Sequence, residues 1–225
     1  MKRGQMQLSQ TEENYLKAIY ILSERSDTSD TATNEIAERI QTKPPTVSDM
    51  LKKLTVKKLV TYEKYKRVQL TNSGKRVAIL IIRKHRLWET FLHDKLNFSW
   101  DEVHEVAEQL EHIQSEKLTE RLDQYLGFPK YDPHGDPIPT AAGELRDLKR
   151  YMLSAIETGA TCQVVGVKDS STSFLQYLQQ INVGIGTKIK VVEKIVFDQS
   201  LVITFKKGQQ TTVSKKFADN VLVTI

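Results

Sequence analysis

The 225-residue sequence contains a single cysteine, Cys162, which excludes an intramolecular disulfide framework and any metal site built on paired thiolates. It lacks a run of about eighteen apolar residues, and Met1 to Gln10 is polar without an apolar signal core. These absences predict a cytoplasmic protein with no membrane span. The sequence also has no P-loop, no glycine-rich dinucleotide turn and no internal repeat.

Charge is distributed unevenly along the chain, whose formal net charge is +5. Residues 1–76 sum to +6, residues 77–150 to −4 and residues 151–225 to +3. A basic amino-terminal segment favours a polyanionic partner, whereas an acidic middle favours cations. Neither charge pattern is specific, so the functional assignment depends on the motifs.

The first 73 residues show the pattern of a winged helix-turn-helix domain. Apolar residues with helical spacing predict three helices, over Ser9 to Glu24, Thr33 to Ile40 and Thr46 to Leu59. Ser9 is placed as the N-cap of the first helix, with Glu12 at the capping-box position. Pro44 and Pro45 are tolerated only at the start of the third helix, so a tight turn joins the second and third helices.

A β-hairpin is predicted after the third helix. Residues 60–65 and 66–71 alternate and are β-branched, with room only for a tight turn near Tyr65 and Lys66. Such a hairpin is the wing of a winged helix, whose recognition helix enters the major groove of DNA. We favour this interpretation over a generic helical bundle with a surface hairpin, because Lys64, Lys66 and Arg67 lie where a wing would contact phosphates.

The predicted DNA contacts divide between the recognition helix and the wing. Thr46 and Ser48 lie in the first turn of the helix, the end that reaches base edges, while the basic residues are better placed for phosphates. Asp49 can accept a hydrogen bond from cytosine or act as an ordinary first-turn acid. The full predicted set is Thr42, Lys43, Pro45, Thr46, Ser48, Asp49, Lys52, Lys53, Lys64, Lys66 and Arg67.

The middle of the chain is predicted to be helical. The predicted helices span Asn72 to Leu96, Ser99 to Glu116, Leu118 to Leu126 and Glu144 to Glu157. Residues 127–140 contain four prolines and two glycines and indicate an ordered crossover loop. Apolar residues over 77–126 exceed what one helix of a small monomer usually buries, which predicts a helix-on-helix homodimer seam.

Two histidines and two glutamates recur on one face of the predicted 99–116 helix. They are His104, Glu108, Glu111 and His112. Imidazole nitrogen and carboxylate oxygen without thiolate suit a borderline to hard divalent transition ion. His85 and Glu89 form a second pair, at i and i+4 on the preceding helix. The alternative is a solvated acidic face with incidental histidines.

After residue 159 the sequence changes to short apolar runs of strand type. Five strands and one helix, over residues 170–181, predict a small β-barrel, and the turn at Gly184 and Gly186 fits an SH3-like barrel without excluding other five-stranded barrels. The predicted fold is therefore mainly α with an α+β winged helix. A winged helix-turn-helix domain is expected over residues 1–73, a helical domain over 74–150 and the barrel over 151–225.

These motifs, in this order, resemble the diphtheria toxin repressor and manganese transport regulator family of bacterial metal-dependent transcription factors. The resemblance covers nearly the whole chain and rests on residues 13–20 (ENYLKAIY), 44–51 (PPTVSDML), 83–92 (RKHRLWETFL), 104–112 and 133–139 (PHGDPIP). The terminal barrel resembles the SH3-like, FeoA-type domain of longer members. The resemblance implies a repressor of metal-homeostasis genes, activated by Mn²⁺ or Fe²⁺, that binds a palindromic double-stranded DNA operator as a homodimer.

The resemblance also implies two metal sites in each subunit. The regulatory site matches Asn14, Glu108, Glu111 and His112. The ancillary site matches His85, Glu89 and His104, to which Asp132, His134 and Asp169 can add ligands.

Three positions depart from the pattern of some members of this family. Asn14 supplies an amide where some members have a thioether or an aspartate. Glu108 stands where iron-responsive members place a cysteine, as it does in manganese-responsive members. Near Ser170 and Ser173 the barrel lacks the Glu and Gln that some iron-responsive members contribute, which leaves Asp169 as the nearby ligand.

Two other functions fit parts of the sequence. A metal-independent winged-helix regulator that senses an organic ligand would leave the histidines unexplained, since four of the five lie at proposed ligand positions. A metalloenzyme is disfavoured because Glu108 replaces the second histidine of an HExxH motif that starts at His104. The di-iron Glu-x-x-His motif is also incomplete, because residue 109 is glutamine. We therefore expect a transcription regulator and not an enzyme.

Overall fold

The computed structural model of the chain describes residues 7–24, 30–63, 67–145, 149–169, 171–205 and 208–225. The chain divides into two compact units. The first unit comprises Met1–His85, Gln109–Glu116 and Pro139–Glu144, and the second comprises Arg86–Glu108, Lys117–Ile138 and Leu145–Ile225.

The first unit begins with three helices and a short hairpin. The elements are α1 (Gln10–Ser23), α2 (Thr33–Ile40), α3 (Pro44–Val56), β1 (Val60–Thr61) and β2 (Gln69–Leu70). The predicted capping box of α1 is present: the Glu12 amide donates to Ser9 Oγ at 3.2 Å, and the Ser9 amide donates to the Glu12 carboxylate at 2.8 Å. Leu16, Ile19 and Leu51 are fully buried in the core that these helices share.

The turn between α2 and α3 is as short as predicted. Gln41 ends α2 in the left-handed conformation, with φ of 56°, so the chain reverses within three residues. Pro44 and Pro45 begin α3, where the missing N–H groups cost no helical hydrogen bond.

Two details of the amino-terminal prediction are wrong. The third helix starts at Pro44 and stops at Val56 rather than Leu59, because Lys58 adopts a left-handed φ of 58°. The hairpin strands are two residues long instead of six and pair Val60 with Leu70. The predicted turn at Tyr65 and Lys66 lies outside the described residues.

The next three helices are α4 (Asn72–Leu96), α5 (Val103–Leu110) and α6 (Glu116–Tyr125). The continuous helix predicted over residues 99–116 is wrong. The Glu102 amide donates to the Ser99 carbonyl oxygen at 3.1 Å, and the Ser99 amide donates to the Glu102 carboxylate at 2.8 Å, so residues 99–102 form a turn before α5. Glu111 and His112 follow the end of α5. In the described part of the chain, no helix combines the length and apolar character needed to cross a membrane.

The subunit itself buries several of the large apolar residues of α4. Ile81, Ile82, Leu87 and Leu92 are buried within the subunit. Leu80 stays 36% exposed. The apolar surplus that a partner subunit would have to cover is therefore smaller than the sequence predicts.

The carboxyl-terminal region forms, among the described residues, a six-stranded antiparallel sheet in the order β3-β8-β4-β5-β6-β7. Its elements are β3 (Tyr151–Met152), β4 (Thr161–Val167), α7 (Thr172–Gln180), β5 (Lys188–Lys194), β6 (Leu201–Phe205), β7 (Gln209–Val213), α8 (Lys215–Asn220) and β8 (Val221–Thr224). The five predicted strands and α7 are present, whereas β3 and α8 were not predicted. Cys162 and Val164 of β4 alternate inward with exposed neighbours, as expected for a strand that covers a core on one face.

The helix predicted over Glu144 to Glu157 is also wrong. Tyr151 and Met152 extend as β3, which pairs with Val223 and Leu222 of β8. A 3₁₀ turn over Leu153–Ala155 follows, with Leu153 fully buried. The strand partner lies about seventy residues away in the sequence, so local periodicity carried no sign of it.

Candidate metal centre

A buried cluster of charged side chains lies in the first unit, where Glu111 approaches α1 and α4. Glu111 is 1% exposed, and its Oε2 lies 2.6 Å from Lys17 Nζ and 2.6 Å from His85 Nδ1. Burial opposes ionisation of this carboxyl, but the hydrogen bond with His85 and the charge of Lys17 outweigh it and lower the pKa of Glu111. Among the described residues, Glu111 Oε1 has no hydrogen-bond partner.

His112 is positioned by α1. Its Nδ1 lies 2.6 Å from Glu13 Oε2, and Gln114 Nε2 donates to Glu13 Oε1 at 2.6 Å. His112 Nε2 is then the nitrogen that faces Glu111 Oε1, at 4.0 Å. Two ligand atoms that each lie about 2.1 Å from one ion are at most about 4.2 Å apart, so the pair fits a shared metal. A carboxylate on the opposite ring nitrogen is the usual support for a histidine ligand.

The predicted regulatory set is brought together in part. Glu111 and His112 meet in the first unit, whereas Glu108 belongs to the second unit, where its Oε1 lies 3.4 Å from His104 Nε2. Asn14 is exposed on α1. Metal binding by these residues stays a prediction.

Sequence reasoning missed two residues of this cluster, Glu13 and Lys17. Both are buried, although they are charged. The signal was present in the sequence: with Leu16 and Tyr20 they follow the i, i+3, i+4, i+7 pattern of one helix face. The buried face of α1 therefore includes a glutamate and a lysine, which require partners in the interior.

A second cluster lies in the second unit and contains Glu89, Asp132 and His134. Ligand atoms of these three residues lie within 4.8 Å of one another. They are 2%, 7% and 4% exposed. His134 Nδ1 is 3.8 Å from Glu89 Oε2, and His104 Nδ1 is 3.2 Å from Glu89 Oε1. Two buried carboxylates and two imidazoles form a nitrogen and oxygen donor set for a divalent transition ion.

The crossover loop holds this second cluster in place. Asp132 Oδ1 accepts hydrogen bonds from the amides of His134 at 2.8 Å and Asp136 at 2.9 Å. The His134 ring stacks on Trp100 with 5.8 Å between ring centroids, and its Nε2 lies 3.1 Å from the Trp100 carbonyl oxygen. The loop prediction is thus confirmed as an ordered segment, with the His134 Nδ1 turned toward Glu89.

Glu89 shifts the pKa values of its neighbours in the second cluster. Burial and the charge of Glu89 raise the pKa of Asp132 to about 7, although Arg86 opposes the shift. Hydrogen bonds with Glu108 and Glu89 raise the pKa of the half-exposed His104 to about 9. Glu89 therefore favours the protonated forms of both Asp132 and His104.

The predicted ancillary set also includes His85 and Asp169. His85 belongs to the first unit, where it contacts Lys17 and Glu111. Asp169 is outside the converging group found among the described residues, and its Oδ1 accepts from the Ser171 amide at 2.9 Å. Their metal binding stays a prediction.

The predicted DNA-binding residues lie on α3 and around it. Exposed residues are Lys43, Pro45, Thr46, Asp49, Lys52 and Lys53, with Thr42 and Ser48 half-buried. Tyr62 Oη donates to Ser48 Oγ at 3.3 Å, and Lys52 pairs with Asp49 at 2.8 Å. Arg67 pairs with Asp30. Lys64 and Lys66 lie outside the described residues.

Comparison with known proteins places this geometry in a family. Residues 7–68 match the iron dependent repressor N-terminal DNA binding domain, residues 71–140 match the iron dependent repressor metal binding and dimerisation domain, and residues 151–225 match the FeoA domain. A solved manganese-dependent transcriptional repressor in complex with manganese is 34% identical, with a TM-score of 0.85 over 94% of this chain and 98% of that one. The chain belongs to the diphtheria toxin repressor and manganese transport regulator family.

Other members of this repressor family show the same likeness. ScaR with bound Cd²⁺ is 33% identical, with a TM-score of 0.76 over 95% of this chain and 98% of that one. The iron-dependent repressor IdeR of Mycobacterium leprae is 39% identical over 132 residues, 59% of this chain and 56% of that protein. The chain thus spans just over half the length of the curated relatives it matches. The family consists of transcriptional repressors, and the expectation that this protein is not an enzyme is confirmed.

Proposed function

We propose that the protein is a DNA-binding transcriptional repressor activated by Mn²⁺ or Fe²⁺. The observation that carries the proposal is the buried Glu111 Oε1, unpartnered among the described residues and facing His112 Nε2 at 4.0 Å. A buried acceptor without a partner is costly, and a divalent cation satisfies it. The cluster lies in the same unit as α2 and α3, the helix-turn-helix.

The proposed regulatory ligands are Glu111 and His112, with Asn14 and Glu108 added by the family resemblance. The proposed ancillary ligands are Glu89, His104, Asp132 and His134, with His85 and Asp169 added in the same way. A bound ion would supply positive charge to buried carboxylates. These ligand sets contain hard oxygen donors and no cysteine, which suits Mn²⁺ and Fe²⁺ better than softer ions.

The first helix links the metal cluster to the DNA-binding core. Leu16 and Ile19 of α1 pack in the core shared with α2 and α3, whereas Glu13 and Lys17 contact His112 and Glu111. Residues 109–116 therefore contact a helix that also packs in the core of the recognition helix. Metal that binds this arrangement more tightly than an open one shifts the population toward it, and DNA reciprocally tightens metal binding.

The protein is proposed to bind an inverted-repeat operator as a homodimer. Residues 77–126, the predicted dimer seam, keep large apolar side chains exposed: Leu80 at 36%, Leu96 at 51%, Leu118 at 39% and Tyr125 at 65%. Two copies would present two recognition helices to two half-sites. We assign DNA binding to residues 1–73, metal binding and dimerisation to 74–150 and an SH3-like FeoA-type domain to 151–225. Because the proposed partner is chromosomal DNA, the protein would act in the cytoplasm.

The proposal is tested with the full-length protein stripped of metal by a chelator. Double-stranded DNA selected from a random pool in the presence of Mn²⁺ supplies the operator. We expect fluorescence anisotropy to show at least about a hundredfold tighter operator binding with Mn²⁺ or Fe²⁺ than without, and sedimentation to show a dimer on the DNA. Equally tight binding by the metal-free protein would favour the metal-independent alternative.

A phosphate contact from the recognition helix gives a separate prediction. Lys53→Ala is expected to weaken binding to operator and random DNA alike. It should also reduce the slope of log K against log salt by about one, because binding then releases one fewer counterion from the DNA. Lys53 is exposed on α3. Lys190→Ala, which removes an exposed lysine of β5, is the matched control and should leave the slope unchanged. An unaltered slope in Lys53→Ala would place the phosphate contacts elsewhere.

A further inference from the structure

A lysine side chain lies inside the proposed regulatory site. Lys17 Nζ donates to Glu111 Oε2 at 2.6 Å and lies 3.2 Å from His85 Nδ1. Its side chain is 11% exposed, and that of Glu111 is 1% exposed. An ammonium group therefore already stands beside the carboxylate that is proposed to receive a divalent ion.

The two oxygens of Glu111 have different surroundings. Oε2 contacts Lys17 and His85, whereas Oε1 faces His112 and has no hydrogen-bond partner among the described residues. The ammonium thus balances the buried charge of Glu111 on one oxygen, while the other oxygen stays available to a ligand. A buried carboxylate without any counter-charge would be strongly destabilising.

The positive charge of Lys17 has two opposite effects. It holds Glu111 in place without metal, but it repels any divalent ion that Glu111 and His112 bind a few ångströms away. Positioning Glu111 does not by itself require a positive charge, since a neutral amide can also donate a hydrogen bond to Glu111 Oε2. The ammonium is therefore a cost for metal binding that a neutral donor would not impose.

We propose that Lys17 is a resident counter-ion of the regulatory site that sets how much divalent metal is needed to load it. This role rests on the proposed function, since it presumes metal binding at Glu111 and His112. Lys17 stabilises the metal-free cluster and weakens metal binding, so it raises the metal concentration at which the regulatory site fills. A divalent ion must therefore bind Glu111 Oε1 and His112 Nε2 tightly enough to overcome the repulsion from Lys17.

The test is Lys17→Gln, which keeps a hydrogen-bond donor and removes the charge. Calorimetric titration of the chelator-stripped, full-length protein with Mn²⁺ is expected to show at least about tenfold tighter binding at the regulatory site. The regulatory site is identified as the binding that His112→Ala removes. Thermal unfolding of metal-free Lys17→Gln should occur at a lower temperature than that of the wild type, because Glu111 loses its counter-charge.

A matched control uses another lysine that pairs with α1. Lys57 Nζ lies 2.7 Å from Glu12 Oε1, next to but outside the proposed site. Lys57→Gln should leave Mn²⁺ affinity unchanged, and Lys17→Arg, which keeps the charge, should not tighten it. Unchanged or weaker Mn²⁺ binding by folded Lys17→Gln overturns the proposal.

A second measurement uses the wild type and does not depend on the folding of any Lys17 variant. In protein labelled with ¹⁵N at lysine Nζ, the Lys17 resonance is expected to shift when Zn²⁺, a diamagnetic probe ion, saturates the regulatory site. An unmoved resonance at saturation contradicts the proposal. If wild-type protein shows no metal binding that depends on His112, the proposed regulatory site itself fails, and this outcome is recognised before any Lys17 variant is measured.

Discussion

His112→Ala is expected to abolish metal-activated operator binding while leaving the fold intact. The substitution removes Nε2, which faces Glu111 Oε1, and it also removes the ring nitrogen that contacts Glu13 Oε2. Loss of a supporting residue alone typically costs tenfold to a hundredfold in metal affinity, so loss of the ligand should cost at least about a hundredfold. Anisotropy with operator DNA at increasing Mn²⁺ measures the loss, and calorimetry measures metal affinity directly.

The matched control is His93→Ala, because His93 is an exposed residue of α4 that pairs with its exposed neighbour Asp94, away from both clusters. It should behave as the wild type in both assays. Circular dichroism of both variants checks that the helices are retained. Full activation of the His112 variant by Mn²⁺ would show that the switch does not use this histidine.

Gly135→Ala is expected to lower the stability of the protein more than Gly127→Ala, the other glycine-to-alanine substitution in the crossover loop. Gly135 has φ of +85°, and a Cβ atom there would lie 1.9 Å from the Val165 carbonyl oxygen. Backbone would have to move, in a loop that also carries Asp132 and His134. We expect the free energy of unfolding to fall by about 2 kcal/mol more than for a glycine replaced at positive φ without a clash.

Gly127→Ala provides that comparison, because Gly127 has φ of +74° and a Cβ atom there would meet nothing within 4 Å. Gly127→Ala should lower the free energy of unfolding by about 1–2 kcal/mol, the usual penalty for a residue with a side chain in the left-handed backbone conformation. Urea unfolding followed by tryptophan fluorescence suits both variants, since Trp100 stacks on His134. Equal stability of the two variants would mean that the backbone at Gly135 moves away from the clash at little cost in free energy.

Much of the fold could be predicted because its signals are local. The capping box of Ser9 and Glu12 and the proline pair at Pro44 and Pro45 mark helix starts through contacts of a few residues. The bounds of α4 coincide with those predicted, since Asn72 to Leu96 has no internal breaker. Where the signal was only periodicity, the prediction failed: the pattern of residues 99–116 continued beyond Leu110, but the helix did not.

The sequence predicted which kinds of ligand the candidate site contains, but it did not indicate Glu13 and Lys17 as their neighbours. Residue type and spacing singled out Glu111 and His112, but the family resemblance indicated Asn14 as their partner on α1. The structure adds Glu13 against His112 and Lys17 against Glu111, across sequence separations of 99 and 94 residues.

The sequence by itself determined the kind of chemistry: nitrogen and carboxylate donors without thiolate, a basic helix-turn-helix segment, and a family resemblance across the chain. Only the tertiary structure decided which of these groups share a buried space, and it placed Lys17 there. The physical reason is the sequence separation over which each kind of contact acts. Caps, turns and helix faces are fixed by neighbours within a few residues, whereas a buried charge is tolerated only where distant segments bring it a partner.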